Sequence, residues 1–266
     1  MDLQLAGKRA LVSGSSSGIG EAIATALAAE GASVVVHGRN AAQTERVAER
    51  IRSEGGEAAI VLGDLTSDVS TEHVAGGAVS VFGGIDILVN NAGAFPEKPW
   101  QEASAANWMD LYNQNVVSMV RLVAHLTPGM RERRWGRVIC LGSVVATMPY
   151  PNFAAYSATK SANVNLAVNL AKELSGTGIT SNAVSPGDII TPGSEVRWRA
   201  VAKAKGLRDD WTAIQDQIPE WAPNPSGRVG RPEDVANLVV FLASPRAGYI
   251  NGTNIRIDGG LIPTTS

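Results

Sequence analysis

Short runs rich in aliphatic and β-branched residues recur along this chain at helix-length intervals, and that rhythm limits its possible folds more than any other feature. The runs are Ala10-Leu11-Val12, Val34-Val35-Val36, Ala59-Ile60-Val61-Leu62, Ile85-Asp86-Ile87-Leu88-Val89, residues 137–141, Ser181-Asn182-Ala183-Val184 and Asn254-Ile255-Arg256-Ile257. A strand that is apolar on both sides must be covered on both faces, as in a parallel sheet with crossover helices. The intervening segments read as those helices. Residues 21–30 are alanine-rich and stop at Gly31; residues 41–53 turn Val47 and Ile51 inward and stop at Gly55-Gly56. The expectation is a doubly wound α/β fold: one seven-stranded parallel sheet with helices on both faces, in a single domain over residues 1–266. Only residues 188–230 break the rhythm. They are proline-bearing, contain Trp198, Trp211 and Trp221, and are expected to form a helical lid.

Charge and composition narrow the function. Lys and Arg number 23 against 25 Asp and Glu, so no net field draws the chain to nucleic acid or an anionic membrane. No apolar run is long enough to span a bilayer and residues 1–8 lack a signal-peptide pattern, so a cytoplasmic protein is expected. Cys140 is the only cysteine, which excludes an internal disulfide, and its apolar strand marks it as a packed thiol rather than a nucleophile. His37, His73 and His125 lack ligand spacing; they read as structural or surface residues, and no metal is expected. Partners should be small molecules or further copies of the chain.

The chemistry is concentrated in Ser143, Tyr156 and Lys160. Tyr156 and Lys160 are four residues apart and share one face of a helix. An ammonium beside a phenol favours phenolate, so the Tyr156 pKa is expected to fall from its usual value, making it a proton donor and acceptor. Ser143 closes an apolar strand, placing its hydroxyl where open α/β sheets bind ligands. At the other end of the chain, Gly14, Gly18 and Gly20 follow the first strand and open a helix, enclosing Ser16, Ser17 and Ile19. Such a turn lets backbone amides approach a pyrophosphate.

Taken in order, residues 13–20, Asn90-Asn91-Ala92-Gly93, Asn115, Ser143, Tyr156, Lys160 and Pro186-Gly187 resemble the classical short-chain dehydrogenases/reductases, over about residues 5–260. The resemblance implies a Rossmann-like oxidoreductase that moves hydride between a nicotinamide and a ketone or secondary alcohol. Asn115, Ser143, Tyr156 and Lys160 would be its catalytic set, with Asn113 as the rival to Asn115. The cofactor would touch Gly14, Ser16, Ser17, Gly18, Ile19, Gly20, Asn91, Ala92, Gly93, Tyr156 and Lys160. Asp64 and Leu65 would meet the adenine, and Pro186, Gly187, Ile189 and Thr191 the nicotinamide amide. NAD-preferring relatives carry an acidic residue where this chain has Gly38, and Arg39 offers a fork to a 2′-phosphate, so NADP is preferred, with NAD as the alternative.

Val144, Val145, Met148, Tyr150, Phe153, Phe95, Ile189 and the three tryptophans suggest an apolar substrate pocket, with ordinary core packing as the equal alternative for Val144 and for each tryptophan. Arg131, Arg133 and Arg134 could form part of a basic dock for an acidic carrier protein. The reading favours a free ketone. Its alternatives are a 3-oxoacyl-carrier-protein reductase, an oxidative alcohol or sugar dehydrogenase using NAD, and a cofactor-binding regulatory protein without turnover. A homotetramer is expected, through helices near residues 112–130 and 157–174.

Overall fold

The computed structural model describes residues 1–264. Its strands are β1 (Arg9–Val12), β2 (Ser33–Gly38), β3 (Glu57–Leu62), β4 (Ile87–Asn90), β5 (Gly136–Leu141), β6 (Ile179–Pro186) and β7 (Asn254–Ile257). All pair in parallel, in the order β3-β2-β1-β4-β5-β6-β7. The seven expected strands are all present in this one sheet.

Alternation along the strands explains why the central runs carry apolar residues at successive positions. Ala10, Val12, Val34, Val36, Ile87, Val89 and Ile139 face one core with the inner sides of α1 (Gly18–Ala29), α2 (Ala41–Ser53) and α9 (Pro232–Ala243). Leu11, Val35, Leu88, Val138 and Cys140 face the other with α3 (Asp68–Phe82), α5 (Ser118–Glu132) and α6 (Ala154–Glu173). Burying each side chain removes apolar area from water on both faces at once.

Two segments depart from simple winding. The helix expected across residues 112–130 is interrupted: α4 (Ala105–Tyr112) passes into a π-helical turn, Asn113–Val117, before α5 begins. Residues 188–230 hold α7 (Pro192–Ala204) and α8 (Trp211–Trp221). These two helices share a small core of Trp198, Ala202, Ile214, Ile218 and Val229, against which Trp211 and Trp221 pack.

The strand order reverses between β1 and β4, and their carboxyl ends open the crevice where such sheets take ligands. At the amino ends, Asp86 accepts from Arg9 at 2.7 and 2.6 Å and from Arg133 at 3.1 Å. No helix among the described residues is long and apolar enough to cross a membrane.

Candidate active site

The site begins where β1 leaves the sheet. Ser13 Oγ accepts from the amides of Asn91 and Ala92, both at 3.0 Å, tying the end of β1 to the end of β4. The chain then turns through Gly14 at φ +64°, where a Cβ would lie 2.9 Å from Ala92 Cα. A Cβ on Gly20 would lie 2.5 Å from Asn91 Nδ2, whose amide donates to the carbonyls of Ser13 and Gly14. Close approach therefore requires glycine at both positions, and at Gly14 the positive φ requires it as well.

A third tie comes from β2. His37 N donates to Ser15 Oγ, Ser15 N donates to His37 O, and Gly14 N donates to His37 Nδ1 at 3.1 Å. Burial pushes this imidazole down to about 4, so it stays neutral and keeps its acceptor nitrogen.

Ser143, just after β5, lines the same cleft as the Tyr156 phenol from α6, and its hydroxyl acts to lower the phenol pKa. The expected depression of the phenol pKa is not found: burial pushes Tyr156 up to about 12, and Ser143 only partly offsets this. Lys160 is one turn away, but its Nζ donates to Leu141 O at 2.7 Å and stands 5.6 Å from the Tyr156 ring centroid. Its own desolvation pushes it down to about 8, weakening the charge expected to act on the phenol.

Asn115 lies in the π-turn, buried, with Oδ1 accepting from Ala94 N at 2.7 Å and Nδ2 donating to Ala94 O at 2.8 Å and Thr159 Oγ1 at 3.0 Å. Its backbone carbonyl accepts from Asn163 Nδ2 at 3.0 Å. It thus fixes the loop after β4 to α6. Asn113 is occupied elsewhere, between Thr66 O and the Arg121 guanidinium.

One cleft of about 320 Å³ collects Ser17, Gly18, Ile19, Gly20, Asn91, Gly93, Ser143, Tyr156, Lys160, Pro186, Gly187, Ile189 and Thr191. Gly14 and Ala92 pack behind its floor. Ser16, Arg39 and Asp64 lie off its end, around the carboxyl end of β2: a Cβ on Gly38 would meet Ser16, and the Arg39 and Asp64 charges both act on His37. Asp64 Oδ1 accepts from Thr66 N and Oγ1. Leu65 and Met148 do not face the cleft; Leu65 is buried in the core under α3, and Met148 packs with Val144 and Val145. The three tryptophans serve the α7–α8 core instead of the pocket. Asp188 and Arg197, which sequence reasoning gave no role in the site, do line it.

The residues fit a phosphorylated dinucleotide. Helix α1, whose N-cap is Ser17, has no side-chain cap from that residue, as α5, α6 and α9 have none from theirs, and the glycine turn leaves its first amides for an anion. At the far end, a Cβ on Gly38 would lie 2.5 Å from Thr44 Oγ1, so the position has no room for an acidic side chain. Arg39 beside it is exposed and makes no hydrogen bond or salt bridge among the described residues.

A glycine turn opening a helix, a serine–tyrosine–lysine cluster and a seven-stranded doubly wound sheet define a dinucleotide-dependent oxidoreductase. Comparison with known proteins gives its family. A family model described as enoyl-(acyl carrier protein) reductase matches residues 14–262. The chain is 36% identical to an uncharacterised oxidoreductase, YvaG, of Bacillus subtilis (98% of each chain covered). It is 35% identical to the 3-oxoacyl-[acyl-carrier-protein] reductase FabG of Vibrio cholerae (97% of this chain, 99% of the relative). Among solved structures, L-sorbose reductase from Gluconobacter frateurii, complexed with NADPH and L-sorbose, superposes with a TM-score of 0.94 at 35% identity, over 99% of this chain and all of the other. The chain belongs to the short-chain dehydrogenase/reductase family and is an enzyme acting on CH–OH groups or the corresponding carbonyls.

Proposed function

We propose that this chain reduces free ketones to secondary alcohols with NADPH, reversibly, and that Tyr156 is its acid/base. The observation that carries the proposal is the half-buried Tyr156 phenol, gathered with Ser143 and Lys160 into the same cleft as the uncapped start of α1. The amides of residues 16–20 would hold the pyrophosphate, Arg39 the 2′-phosphate, and the backbone of Asp64 and Leu65 the adenine. Asn91, Ala92 and Gly93 would border the riboses, while Pro186, Gly187, Ile189 and Thr191 would hold the carboxamide. Thr191 Oγ1 already accepts from Ser194 N as the α7 cap, and its hydroxyl proton is still available to donate.

Bound there, the reduced nicotinamide supplies hydride to a carbonyl carbon. Ser143 and Tyr156 hydrogen-bond the carbonyl oxygen, and Tyr156, fully protonated at neutral pH because burial holds it near 12, donates the proton. Lys160 directs one donor at Leu141 O and keeps two for the ribose and for the phenolate left after transfer. Asn115 holds the loop after β4 in place. Residues 188–230 act as a lid over the substrate end of a single-domain enzyme. Exposed Trp100, Met109, Tyr112 and Val120 on and beside α4 and α5 suit burial between subunits of a homotetramer.

The Vibrio cholerae relative favours a second reading, 3-oxoacyl-carrier-protein reduction. The basic dock it needs is missing at the cleft: Arg133 is bound to Asp86 and Ile85 O, Arg131 contacts Glu173 O, and Arg134 contacts Gly176 O, all at the amino end of β5.

Initial rates with NADPH and NADH over a panel of carbonyls test the proposal. A charged hydrogen bond contributes roughly 1.5–3 kcal/mol, about tenfold to over a hundredfold in affinity. The kcat/KM for NADPH should exceed that for NADH by at least tenfold, and Arg39→Asp should erase the difference; an NADH preference in the unaltered protein would contradict it.

A further inference from the structure

Arg197, on α7, reaches over the outer end of the cleft. Its Nη1 donates to Asp188 Oδ1 at 3.1 Å, its Nε lies 3.2 Å from Glu97 Oε1, and its guanidinium carbon stands 5.7 Å from the Phe153 ring centroid. Asp188 follows β6, Glu97 follows β4 and Phe153 precedes α6, so the cluster joins three walls of the site. Arg197, Asp188 and Tyr150 line the same cleft as Ser143 and Tyr156.

A partly exposed ion pair adds little to stability, so fastening α7 is a weak reason for this arrangement. Its remaining hydrogen-bonding capacity is more telling. Asp188 Oδ2 and Arg197 Nη2 have no hydrogen-bond partner among the described residues, leaving an acceptor and a donor side by side at the rim. The inner wall is the opposite: Phe95 and Phe153 flank Tyr156 with ring centroids 6.3 and 6.1 Å away, and Val144 and Val145 complete it. An apolar wall suits C–H groups and the rim suits hydroxyls. Two carboxylates to one guanidinium leave the rim net negative, which disfavours phosphorylated, carboxylated or carrier-protein-linked ketones.

From this arrangement we infer that the substrate is a neutral polyhydroxylated ketone of the ketose type, whose hydroxyls are read by Asp188 and Arg197. The inference rests on the reductase reading above and names its substrate class. In the reaction, the keto carbon gains a hydride as NADPH is oxidised to NADP⁺, the oxygen gains the Tyr156 proton, and the C=O becomes CH–OH. The product is the polyol, and Tyr156 recovers its proton from solvent.

The test compares kcat/KM for D-fructose and L-sorbose with that for 2-hexanone, which has the same chain length without the hydroxyls, and with acetoacetyl-coenzyme A. A site built to hydrogen-bond hydroxyls rejects the analogue that lacks them. At least one ketohexose should exceed both comparison substrates by tenfold or more. Asp188→Asn and Arg197→Met should each lower the ketohexose-to-hexanone ratio at least tenfold, mainly through KM, and Glu97→Gln should lower it less. Fluorescence titration with NADPH checks that each variant remains folded. Turnover of 2-hexanone or acetoacetyl-coenzyme A in preference to both ketohexoses would overturn this inference alone, as would an unchanged ratio in well-folded variants. No NADPH oxidation with any carbonyl would overturn the reductase reading and this inference with it.

Discussion

His37 works as a hydrogen-bond acceptor, and that role requires its ring to stay neutral. The Gly14 amide donates to Nδ1 at 3.1 Å, and the ring is 3% exposed at the carboxyl end of β2. With the ring held near 4 in the fold and at about 6.5 when unfolded, only the unfolded chain takes up the proton between those values. The stability this gives is complete above pH 6.5 and lost as pH falls toward 4, a difference of roughly 3 kcal/mol. His37→Asn retains an acceptor without the titration. Urea unfolding at pH 7 and pH 4.5 should therefore show a smaller loss for His37→Asn than for the unaltered protein, and equal losses would refute the argument. His37→Leu, which strands the Gly14 amide, should raise the NADPH KM about tenfold. Sequence reasoning placed His37 only as structural or surface, because its partner is a backbone amide 23 positions away and no spacing rule encodes such a pairing.

Among elements, the strands and most helices were legible because burial imposes a period on the sequence; Val34, Val35 and Val36, buried on alternate faces, announce β2 without ambiguity. The π-turn at Asn113–Val117 was not. The wider turn leaves no compositional trace: the resemblance marked Asn115 as a catalytic candidate, but nothing in the residues showed that the helix around it widens. The tryptophans of α7 and α8 could be read as pocket or as core for a related reason: the side chains of an inserted segment have no sheet to set their direction, and the structure gives them to the core. Trp198 and Trp221 turn to each other with ring centroids 6.4 Å apart, and Trp198 is 3% exposed. Trp198→Ala would open a cavity in this small core, a change that costs about 3–5 kcal/mol in well-packed sites. Limited proteolysis should then cut within residues 188–230, the ketone KM should rise several-fold, and NADPH affinity should change little because β1 and α1 carry the phosphate site. Unaltered protease resistance would show that the pair does not hold α7 to α8.

At the scale of the whole molecule, the site exists because a parallel sheet gathers the carboxyl ends of its strands on one side. The glycine turn follows β1, Asn91 follows β4, Ser143 follows β5 and Thr191 follows β6, so residues nearly 180 positions apart share one cleft. The motif residues were legible in advance because each has a fixed place relative to a strand end. The Asp188–Arg197–Glu97 rim was not, since its members meet only once α7 is laid across the cleft. The central claim is that Tyr156 transfers a proton while NADPH supplies hydride to a carbonyl. The most direct measurement follows NADPH absorbance with a reducible ketone for the unaltered protein and for Tyr156→Phe, with NADPH binding titrated in parallel. The account predicts steady oxidation by the unaltered protein, a loss of at least a hundredfold in kcat for Tyr156→Phe, and cofactor affinity within a few-fold of the original. Undiminished turnover by Tyr156→Phe with intact NADPH binding would contradict it.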